Sequence, residues 1–379
     1  MGDEVLVLGA GIGGLTAALA LHGQGARVRV VEQAERIGEV GAGLQISPNG
    51  GAVLRALGLG AALDAVSVRA EAVVLSDYQR PGDVLRLDLR RRPQQVYGFV
   101  HRADLIGLLE QAVRTAGIPV ELGRKAIRVE PGAPARVVFE DGAEEAALVV
   151  GADGLHSVAR RALNGGDAPF FTGQVAWRAV VPTPRPLPAE ARVVMAPGKH
   201  VVAYPLRGGT MANLVAIREQ SDWVEEGWHL AGDPDALRAA FADLRGPVRP
   251  LLDAVETVGL WGLFRHPVAA RWQSEGVAIL GDAAHPTLPF LAQGANLALE
   301  DAWVLARCHG TSSLAAYQDL RQDRARKVIA AANRNAWKYH VRFGPARMAG
   351  HMALKLAGGI VPDVMVNQFD WIYGYDVTA

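Results

Sequence analysis

The stretch Val5-Leu6-Val7-Leu8-Gly9-Ala10-Gly11-Ile12-Gly13-Gly14 decides the fold class of this chain. Its first four residues predict a short strand, and the alanine-rich residues 15–22 after the glycines favour a helix. The glycines at 9, 11 and 14 match a fingerprint in which the first makes a tight turn, the second lets backbone approach a pyrophosphate, and the third lets helix and strand pack closely. The pattern therefore predicts a dinucleotide-binding strand, turn and helix, with the phosphates at the helix N-terminus.

A second strand supports this interpretation. Residues 27–31 form a β-branched run that ends in Glu32, where an acidic residue can accept hydrogen bonds from the hydroxyls of an adenosine ribose. A glycine-rich turn that binds nothing is the alternative, and the context makes it the weaker one. The fingerprint by itself does not separate a nicotinamide-dependent dehydrogenase from a flavoprotein.

Composition limits the classes of function. The chain has 379 residues, enough for two domains, with 43 Gly, one Cys, ten His, and 39 basic against 39 acidic side chains. One Cys excludes an intrachain disulfide and a CxxC redox pair, and it fits a cytoplasmic setting. The histidines form no compact ligand motif, so we expect no metal. Zero net charge argues against nucleic acid as a partner, and no membrane span is predicted, so we expect a small ligand.

Glycines recur in three later segments. A long crossing after Glu32 contains Gly38, Gly41 and Gly43 where a plain Rossmann unit would have a helix, and such a segment can lie flat against a ring. Further along, an apolar strand runs into Gly151-Ala152-Asp153-Gly154, and another ends in Gly281-Asp282. The helix that begins near residue 294 can direct N–H groups at a flavin carbonyl that becomes negative on reduction.

These motifs, in this order and together with Gly281-Asp282-Ala283-Ala284-His285, resemble the FAD-dependent aromatic hydroxylases of the p-hydroxybenzoate hydroxylase fold. The chain looks nearest to the salicylate, 3-hydroxybenzoate and 6-hydroxynicotinate monooxygenases. The resemblance implies an α/β fold, with a Rossmann-like FAD-binding domain of the glutathione-reductase type and an inserted, mostly antiparallel substrate sheet. The expected boundaries are 1–169 and 269–335 for the FAD-binding domain, 170–268 for the substrate-binding sheet domain, and 336–379 for a C-terminal helical tail that packs without doing chemistry.

The resemblance also implies the reaction. In such a single-component monooxygenase, transiently bound NADH or NADPH reduces non-covalent FAD, and O2 then forms a flavin hydroperoxide. That species hydroxylates a phenolic aromatic acid or a hydroxylated heteroaromatic. A flavin-dependent reductase or oxidase of the same fold, a tailoring hydroxylase of a larger polycyclic aromatic, and a non-catalytic flavin-binding regulator are the alternatives. A homodimer is compatible with the family likeness.

Position by position, the resemblance assigns a set of FAD contacts. They are Gly9, Gly11 and Gly14 at the pyrophosphate, Glu32 at the ribose, Gly43 beside the ring, Arg102 at the phosphate and ribose, Asp282 at the ribityl or pyrophosphate part, and Pro289, Gly294, Ala295 and Asn296 bordering the isoalloxazine. Asp153 has two expected roles, which are to organise its turn and a nicotinamide path, or to cap a helix. For His285 a loop-stabilising hydrogen bond is favoured over contact with the flavin.

On the substrate side, five short β-like runs between residues 170 and 268 predict an antiparallel sheet. Alternation in the run that begins at His200 places that residue and Tyr204 on one face. The resemblance assigns this His-x-x-x-Tyr pair to the substrate hydroxyl, because a neutral imidazole can accept a phenolic proton. A histidine paired structurally on the sheet is the alternative.

Other substrate contacts are less well defined by the sequence. A carboxylate anchor is expected to be an arginine because of its fork geometry, with Arg178 and Arg207 as candidates. The candidates for apolar lining are Trp177, Phe264, Leu288 and Phe290.

Overall fold

A computed structural model describes residues 4–38, 42–166, 169–222, 231–311, 313–336 and 339–379, and Gly41 lies outside these ranges. The strands are β1 (Glu4–Leu8), β2 (Arg27–Val31), β3 (Gly43–Ile46), β4 (Ser67–Arg69), β5 (Ala72–Asp77), β6 (Asp83–Asp88), β7 (Gly98–His101), β8 (Val120–Glu121), β9 (Ala126–Glu130), β10 (Ala135–Phe139), β11 (Gly142–Ala146), β12 (Leu148–Gly151), β13 (Phe170–Pro182), β14 (Glu190–Ala196), β15 (Lys199–Leu206), β16 (Met211–Glu219), β17 (Ala231–Gly232), β18 (Val258–Arg265), β19 (Gln273–Ser274) and β20 (Val277–Ile279). The helices are α1 (Ile12–Gly23), α2 (Pro48–Ala56), α3 (Gly60–Val66), α4 (Arg102–Thr115), α5 (Val158–Asn164), α6 (Pro234–Ala240), α7 (Arg249–Asp253), α8 (Gly294–Thr311), α9 (Leu314–Ala336), α10 (Gly344–Ile360), α11 (Pro362–Asn367) and α12 (Asp370–Tyr373). Among the described helices, none has the length and apolar character needed to cross a membrane.

The first sheet has the order β19-β20-β12-β1-β2-β8, and its strands from β20 to β8 are parallel. Its central strands are almost continuously apolar because the sheet is covered by helices, α1 among them, and by a three-stranded sheet of order β11-β10-β9. Parallel pairing brings the carboxyl ends of β1, β12 and β20 to one edge. The three glycine-containing turns predicted from the sequence therefore lie side by side, as they do where α/β sheets bind ligands.

The second sheet has the order β17-β18-β13-β16-β15-β14-β5-β6 and is antiparallel except for the pairing of β14 with β5. The five predicted runs correspond to β13, β14, β15, β16 and β18. The boundaries of the substrate domain, 170 and 268, stay a prediction, but the sheet itself also takes β5 and β6 from outside that range.

The C-terminal helices cover one end of this second sheet. Leu354 of α10 and Met365 of α11 pack against a cluster that contains Leu85 of β6 and Met195 of β14. The predicted packing of the tail is therefore present, and it places the tail beside the substrate sheet.

Candidate active site

A single continuous cavity of about 1770 Å³ runs from the glycine turns at the edge of the first sheet to the face of the second sheet. Its wall includes residues of both sheets and of the C-terminal helices. The predicted catalytic and FAD-contacting residues line it, with the exceptions of Gly14 and Asn296.

The three fingerprint glycines play three different physical roles. Gly9 has φ +101°, and a Cβ there would lie 2.5 Å from the carbonyl oxygen of Ala152. A Cβ on Gly14 would lie 1.9 Å from the oxygen of Gly9, so this position serves the close packing of α1 on its turn. A Cβ on Gly11 meets no atom within 4 Å and would project into the cavity. The cradle thus has the open approach that a dinucleotide pyrophosphate needs.

Two carboxylates at this edge are already engaged with backbone. Glu32 accepts hydrogen bonds from the N–H groups of Ala10 at 2.7 Å and Ala34 at 2.9 Å. It still lines the cavity, and a carboxylate has further lone pairs for ribose hydroxyls. Asp153 accepts from the Val158 N–H at 2.8 Å and from the hydroxyl of Ser157, which itself caps α5. Helix capping is therefore observed for Asp153, and a contribution to a nicotinamide path stays a prediction.

Arg102, Asp282 and Arg178 lie near one another on the cavity wall, where the two arginines are partly buried and Asp282 is exposed to the cavity. Burial, followed by the nearby Arg178 guanidinium, lowers the pKa of Arg102 to about 10, while Asp282 acts in the opposite direction. Burial raises the pKa of Asp282, although His285 and Arg102 oppose that shift. This region therefore carries an excess of positive charge, as expected near phosphates and a carbonyl that becomes negative on reduction.

The loop before α8 divides into two parts. Pro289, Gly294 and Ala295 line the cavity, as expected for residues bordering a ring. Asn296 is fully buried, accepts a hydrogen bond from the Ser47 N–H at 3.0 Å, and donates to Gln45 and Ala292 carbonyls at 2.9 and 2.8 Å. The geometry therefore assigns Asn296 to holding the β3–α2 connection against α8, instead of to the ring.

A buried ion network supports the same loop from behind. Nε2 of His285 is hydrogen-bonded to Asp301, and Arg321 pairs with Asp301 at 2.8 Å and with Glu300 at 2.6 Å. All four side chains are fully buried. His285 therefore makes the loop-stabilising hydrogen bond that the sequence favoured.

The substrate sheet brings His200 and Tyr204 to one wall of the cavity, as strand alternation predicts. Tyr204 lies close to the crossing segment, since a Cβ on Gly43 would be 2.7 Å from its Cε2 atom. Burial, followed by nearby His340, lowers the pKa of His200 well below its ordinary value. Burial raises the pKa of Tyr204, and Arg178 opposes this only in part. The pair is therefore a neutral imidazole and a protonated phenol near neutral pH.

The two candidate anchoring arginines are separated by the fold. Arg207 forms an ion pair with Asp104 at 2.7 Å at a half-exposed position outside the cavity. Arg178 lines the cavity, lies with its guanidinium 5.2 Å from the ring centroid of Trp261, and pairs with no carboxylate in the described part of the chain. Burial lowers the pKa of Arg178, and nearby Tyr204 opposes the shift. A buried cation without a counter-ion is costly unless a ligand supplies the anion.

The predicted apolar lining is half right. Leu288 and Phe290 line the cavity, whereas Trp177 does not, because it neighbours Arg178 on β13 and so faces the opposite side. Trp177 packs edge-on against Phe241, with ring centroids 5.9 Å apart. Phe264 also lies outside the cavity wall and packs with Phe171.

Several wall residues had no recognisable signal in the sequence. Tyr339, Leu354, Met365, Phe369 and Tyr373 come from the C-terminal region, and Leu75, Leu85 and Val193 come from strands at the far end of the second sheet. Apolar residues recur along α10, which was a hint that the C-terminal region packs on the sheet.

Comparison with known proteins decides the family. The sequence profile of a family described as FAD binding domain matches residues 3–332. The 3-amino-4-hydroxybenzoate 2-monooxygenase of Streptomyces cremeus is 38% identical over 359 residues, which cover 90% of this chain and 89% of that protein. The chain belongs to this family of flavin-dependent aromatic monooxygenases.

Two further relatives of this flavoprotein monooxygenase agree. The 3-hydroxybenzoate 6-hydroxylase of Polaromonas naphthalenivorans is 33% identical, with 98% of this chain and 96% of that protein covered. A crystal structure of Klebsiella pneumoniae HpxO complexed with FAD and uric acid superposes with a TM-score of 0.84 at 26% identity, covering 96% of each chain. The predicted fold class and the FAD cofactor are confirmed. The roles of individual site residues stay predictions.

Proposed function

We propose that this protein uses NAD(P)H and O2 to hydroxylate a phenolic aromatic acid or a hydroxylated heteroaromatic, as a cytoplasmic single-component monooxygenase. The observation that carries the proposal is that His200, Tyr204 and Arg178, which pairs with no carboxylate among the described residues, line one cavity with the glycines of the dinucleotide fingerprint. These three side chains offer a base, a hydrogen-bond donor and a cation. A phenol that also bears a carboxylate can use all of them.

Each side chain has a distinct task in this proposal. His200, neutral because burial lowers its pKa, accepts the phenolic proton. Tyr204 keeps its own proton and donates a hydrogen bond to the resulting phenolate oxygen. Arg178 binds the carboxylate, which in turn compensates the charge of the guanidinium. Ionisation of the phenol raises the electron density of the ring, which favours attack on an electrophilic oxygen.

The cofactor would be held by the residues at the edge of the first sheet. Gly9 and Gly11 would accommodate the pyrophosphate, Glu32 the ribose, and Pro289 and Gly294 the isoalloxazine ring. When bound and reduced by NADH or NADPH, FAD would activate O2 and supply the electrophilic oxygen. Two relatives support the substrate class, since their names specify 3-amino-4-hydroxybenzoate and 3-hydroxybenzoate, both of which are phenolic acids.

The test is a turnover experiment with the purified holoenzyme. Consumption of NADH, NADPH and O2 is followed with hydroxybenzoates, aminohydroxybenzoates and 6-hydroxynicotinate as substrates. The molecular masses of the products are measured by mass spectrometry after reaction under ¹⁸O2. We expect at least one phenolic acid to gain one labelled oxygen atom, while benzoate, which lacks the hydroxyl, is not hydroxylated. If no member of the panel gains oxygen from O2, the proposal is wrong.

The role of His200 is tested by His200→Ala in the same assay. Loss of a general base should lower the hydroxylation rate by roughly 10²–10⁴-fold. FAD content should stay at the level of the unmodified protein, because His200 lies on the substrate sheet. Unchanged turnover would remove His200 from the mechanism.

A larger substrate is a second candidate, and the cavity itself favours it. Although FAD would fill part of the cavity of about 1770 Å³, the cavity continues past His200 to Leu85, Met195 and Met365. The apolar side chains of that extension could accept a fused ring. Comparing kcat/KM for hydroxybenzoates with that for hydroxynaphthoates separates monocyclic from fused-ring substrates. A preference for the hydroxybenzoates would exclude the fused-ring class.

A further inference from the structure

A row of three polar side chains leads from the cavity wall to the protein surface. Nδ1 of His200 lies 2.7 Å from Nε2 of His340, and Nδ1 of His340 lies 3.1 Å from Oε1 of Glu219. The imidazoles are only 2% exposed, whereas the Glu219 side chain is 31% exposed. His340 follows α9 and is far from His200 in sequence, so the fold alone creates this contact.

The hydrogen bonds determine which nitrogen carries each proton. Burial alone would raise the pKa of Glu219, but Arg342 and His340 together lower it, so Glu219 is ionised near neutral pH. It then accepts a hydrogen bond from Nδ1–H of His340, which leaves Nε2 of His340 as an acceptor. That nitrogen in turn accepts from Nδ1–H of His200. The remaining nitrogen of His200, Nε2, therefore carries a lone pair.

This Nε2 lone pair is the one available to a substrate. His200 lines the cavity, and within the described ranges no hydrogen bond is made to its Nε2 atom. Its other near neighbours are the Tyr339 ring at 5.3 Å and the Phe290 ring at 6.2 Å between centroids. Burial raises the pKa of Tyr339, so that phenol stays neutral and does not compete for the proton.

We propose that His340 and Glu219 are positioning residues that fix the tautomer of His200 and connect it to solvent, so that the phenolic proton leaves the buried cavity along this row. The inference rests on the proposed hydroxylation of a phenol. It adds two residues and a proton path to the same site.

The phenolic O–H bond breaks as an N–H bond forms at Nε2 of His200, while the Nδ1 proton of His200 passes to Nε2 of His340. The Nδ1 proton of His340 passes to Glu219 and then to water, so one proton enters the row and one leaves it. After hydroxylation the reverse transfer returns a proton to the product phenolate and restores both starting tautomers.

A path to solvent solves an energetic difficulty of a buried base. A phenol has an ordinary pKa of about 10 and an imidazole about 6.5, so a phenolate beside an imidazolium is disfavoured by at least roughly 3,000-fold. Burial makes the imidazolium still less favourable, because it lowers the pKa of both His200 and His340. If the proton is released to water at about pH 8 instead, the phenolate is disfavoured by only roughly 100-fold, because the phenol pKa lies about two units above the pH. The nearby charge of Arg178 favours the phenolate further.

The decisive variant is Glu219→Gln, which keeps the size and hydrogen bonding of the side chain but cannot take up the proton. The matched control is Glu190→Gln, since Glu190 is also an acid of the same sheet that is not fully buried and pairs with arginines, Arg86 and Arg192, but it lies outside the row. FAD content and melting temperature are recorded for both variants. Each holoenzyme is mixed with a phenolic acid that the unmodified enzyme hydroxylates.

Three readouts separate a proton path from a structural role. We expect Glu219→Gln to slow the proton release that a pH indicator records on substrate binding, to raise the apparent pKa of the bound phenol in its absorbance titration, and to lower kcat by roughly 10-fold to 100-fold with little change in KM. A nitro-substituted phenolic acid that is already ionised in solution should restore kcat to near the unmodified value. Glu190→Gln should match the unmodified enzyme.

The outcomes that overturn the inference are distinct from failure of the proposed function. If the unmodified enzyme hydroxylates phenols and Glu219→Gln releases the proton at the same rate, the row is not the path. If Glu219→Gln loses activity equally with ionised and un-ionised substrates, its role is structural and the inference is wrong. If the unmodified enzyme hydroxylates no phenol, the proposed function itself fails.

Discussion

Replacing Arg178 by methionine should weaken substrate binding without a comparable loss of protein stability. Arg178 is partly buried on the cavity wall, with its Nε atom buried and no carboxylate partner in the described ranges, and its aromatic contact is Trp261 at 5.2 Å. In the substrate-free protein this charge is uncompensated. In the complex, by our proposal, the substrate carboxylate neutralises it.

The magnitudes follow from these two states. Truncating one partner of a buried, hydrogen-bonded charge pair costs about 2–5 kcal/mol, so the Kd of a phenolic acid should rise by roughly 30-fold to several thousand-fold. Replacing a buried charge with an apolar side chain of similar size is neutral or stabilising by about 1–4 kcal/mol. Loss of the contact with Trp261 offsets about 0.5–2 kcal/mol of that gain. The substrate-free variant should therefore lie between about 2 kcal/mol less stable and about 3.5 kcal/mol more stable than the unmodified protein.

The assay combines two ligand titrations, which measure affinity, with a thermal melting curve of the substrate-free protein, which measures stability. Perturbation of flavin absorbance gives the Kd of 3-hydroxybenzoate and of phenol, which lacks the carboxylate, for the unmodified protein and for Arg178→Met. We expect the large loss of affinity with the acid alone. Arg207→Met is the matched control, because its exposed pair with Asp104 lies outside the cavity and contributes about 0–1 kcal/mol to stability.

Two results would refute the reasoning. Equal loss of affinity for the acid and for phenol would show that Arg178 does not bind the carboxylate. A large fall in FAD affinity with unchanged binding of the acid would assign the guanidinium to the cofactor instead.

Two other predictions concern the cofactor cradle and the network behind it. Gly11→Ala places a methyl group in the open cradle, so it should weaken FAD binding to the apoprotein by tenfold or more without lowering the melting temperature. Gly14→Ala should instead destabilise the fold by about 1–3 kcal/mol, because its Cβ would lie 1.9 Å from the Gly9 oxygen. The reverse pattern in flavin titrations and thermal melts would contradict these roles. Although burial opposes it, His285 and Arg321 lower the pKa of Asp301 from 3.8 to about 2, so the stability it contributes is present above about pH 4 and is lost as the pH falls towards 2. Asp301→Asn should lower stability at pH 7 by about 3–5 kcal/mol and flatten its dependence on pH between 4 and 2 in denaturant titrations, and an unchanged pH profile would rule out this linkage.

Much of the cofactor half of the site could be predicted from short stretches of sequence. The roles of Gly9 and Gly14 follow from the backbone of one tight turn, and the turn is encoded within six residues. Strand alternation likewise places His200 and Tyr204 on one face, because the period of two is a property of any extended chain. The order of the three glycine motifs then indicates one shared edge of a parallel sheet.

The role of a side chain could not be predicted from the sequence where it depends on residues that are distant along the chain. Asn296 looked like a ring contact, but Ser47, Gln45 and Ala292 occupy its amide. Trp177 looked like cavity lining, but its neighbour Arg178 takes the cavity face of β13. In each case the outcome depends on which segments pack together, and side-chain type carries no information about that.

The sequence by itself determined the dinucleotide cradle, the family and the one face that carries His200 and Tyr204, because turns and strand alternation are local properties of the backbone. Tertiary structure alone decided that Arg178 and not Arg207 faces the cavity, that the C-terminal helices enlarge it, and that His340 and Glu219 reach His200. Those contacts join residues from separate elements. They exist only once the sheets and helices have packed, because packing and not local conformation brings such groups within hydrogen-bond distance.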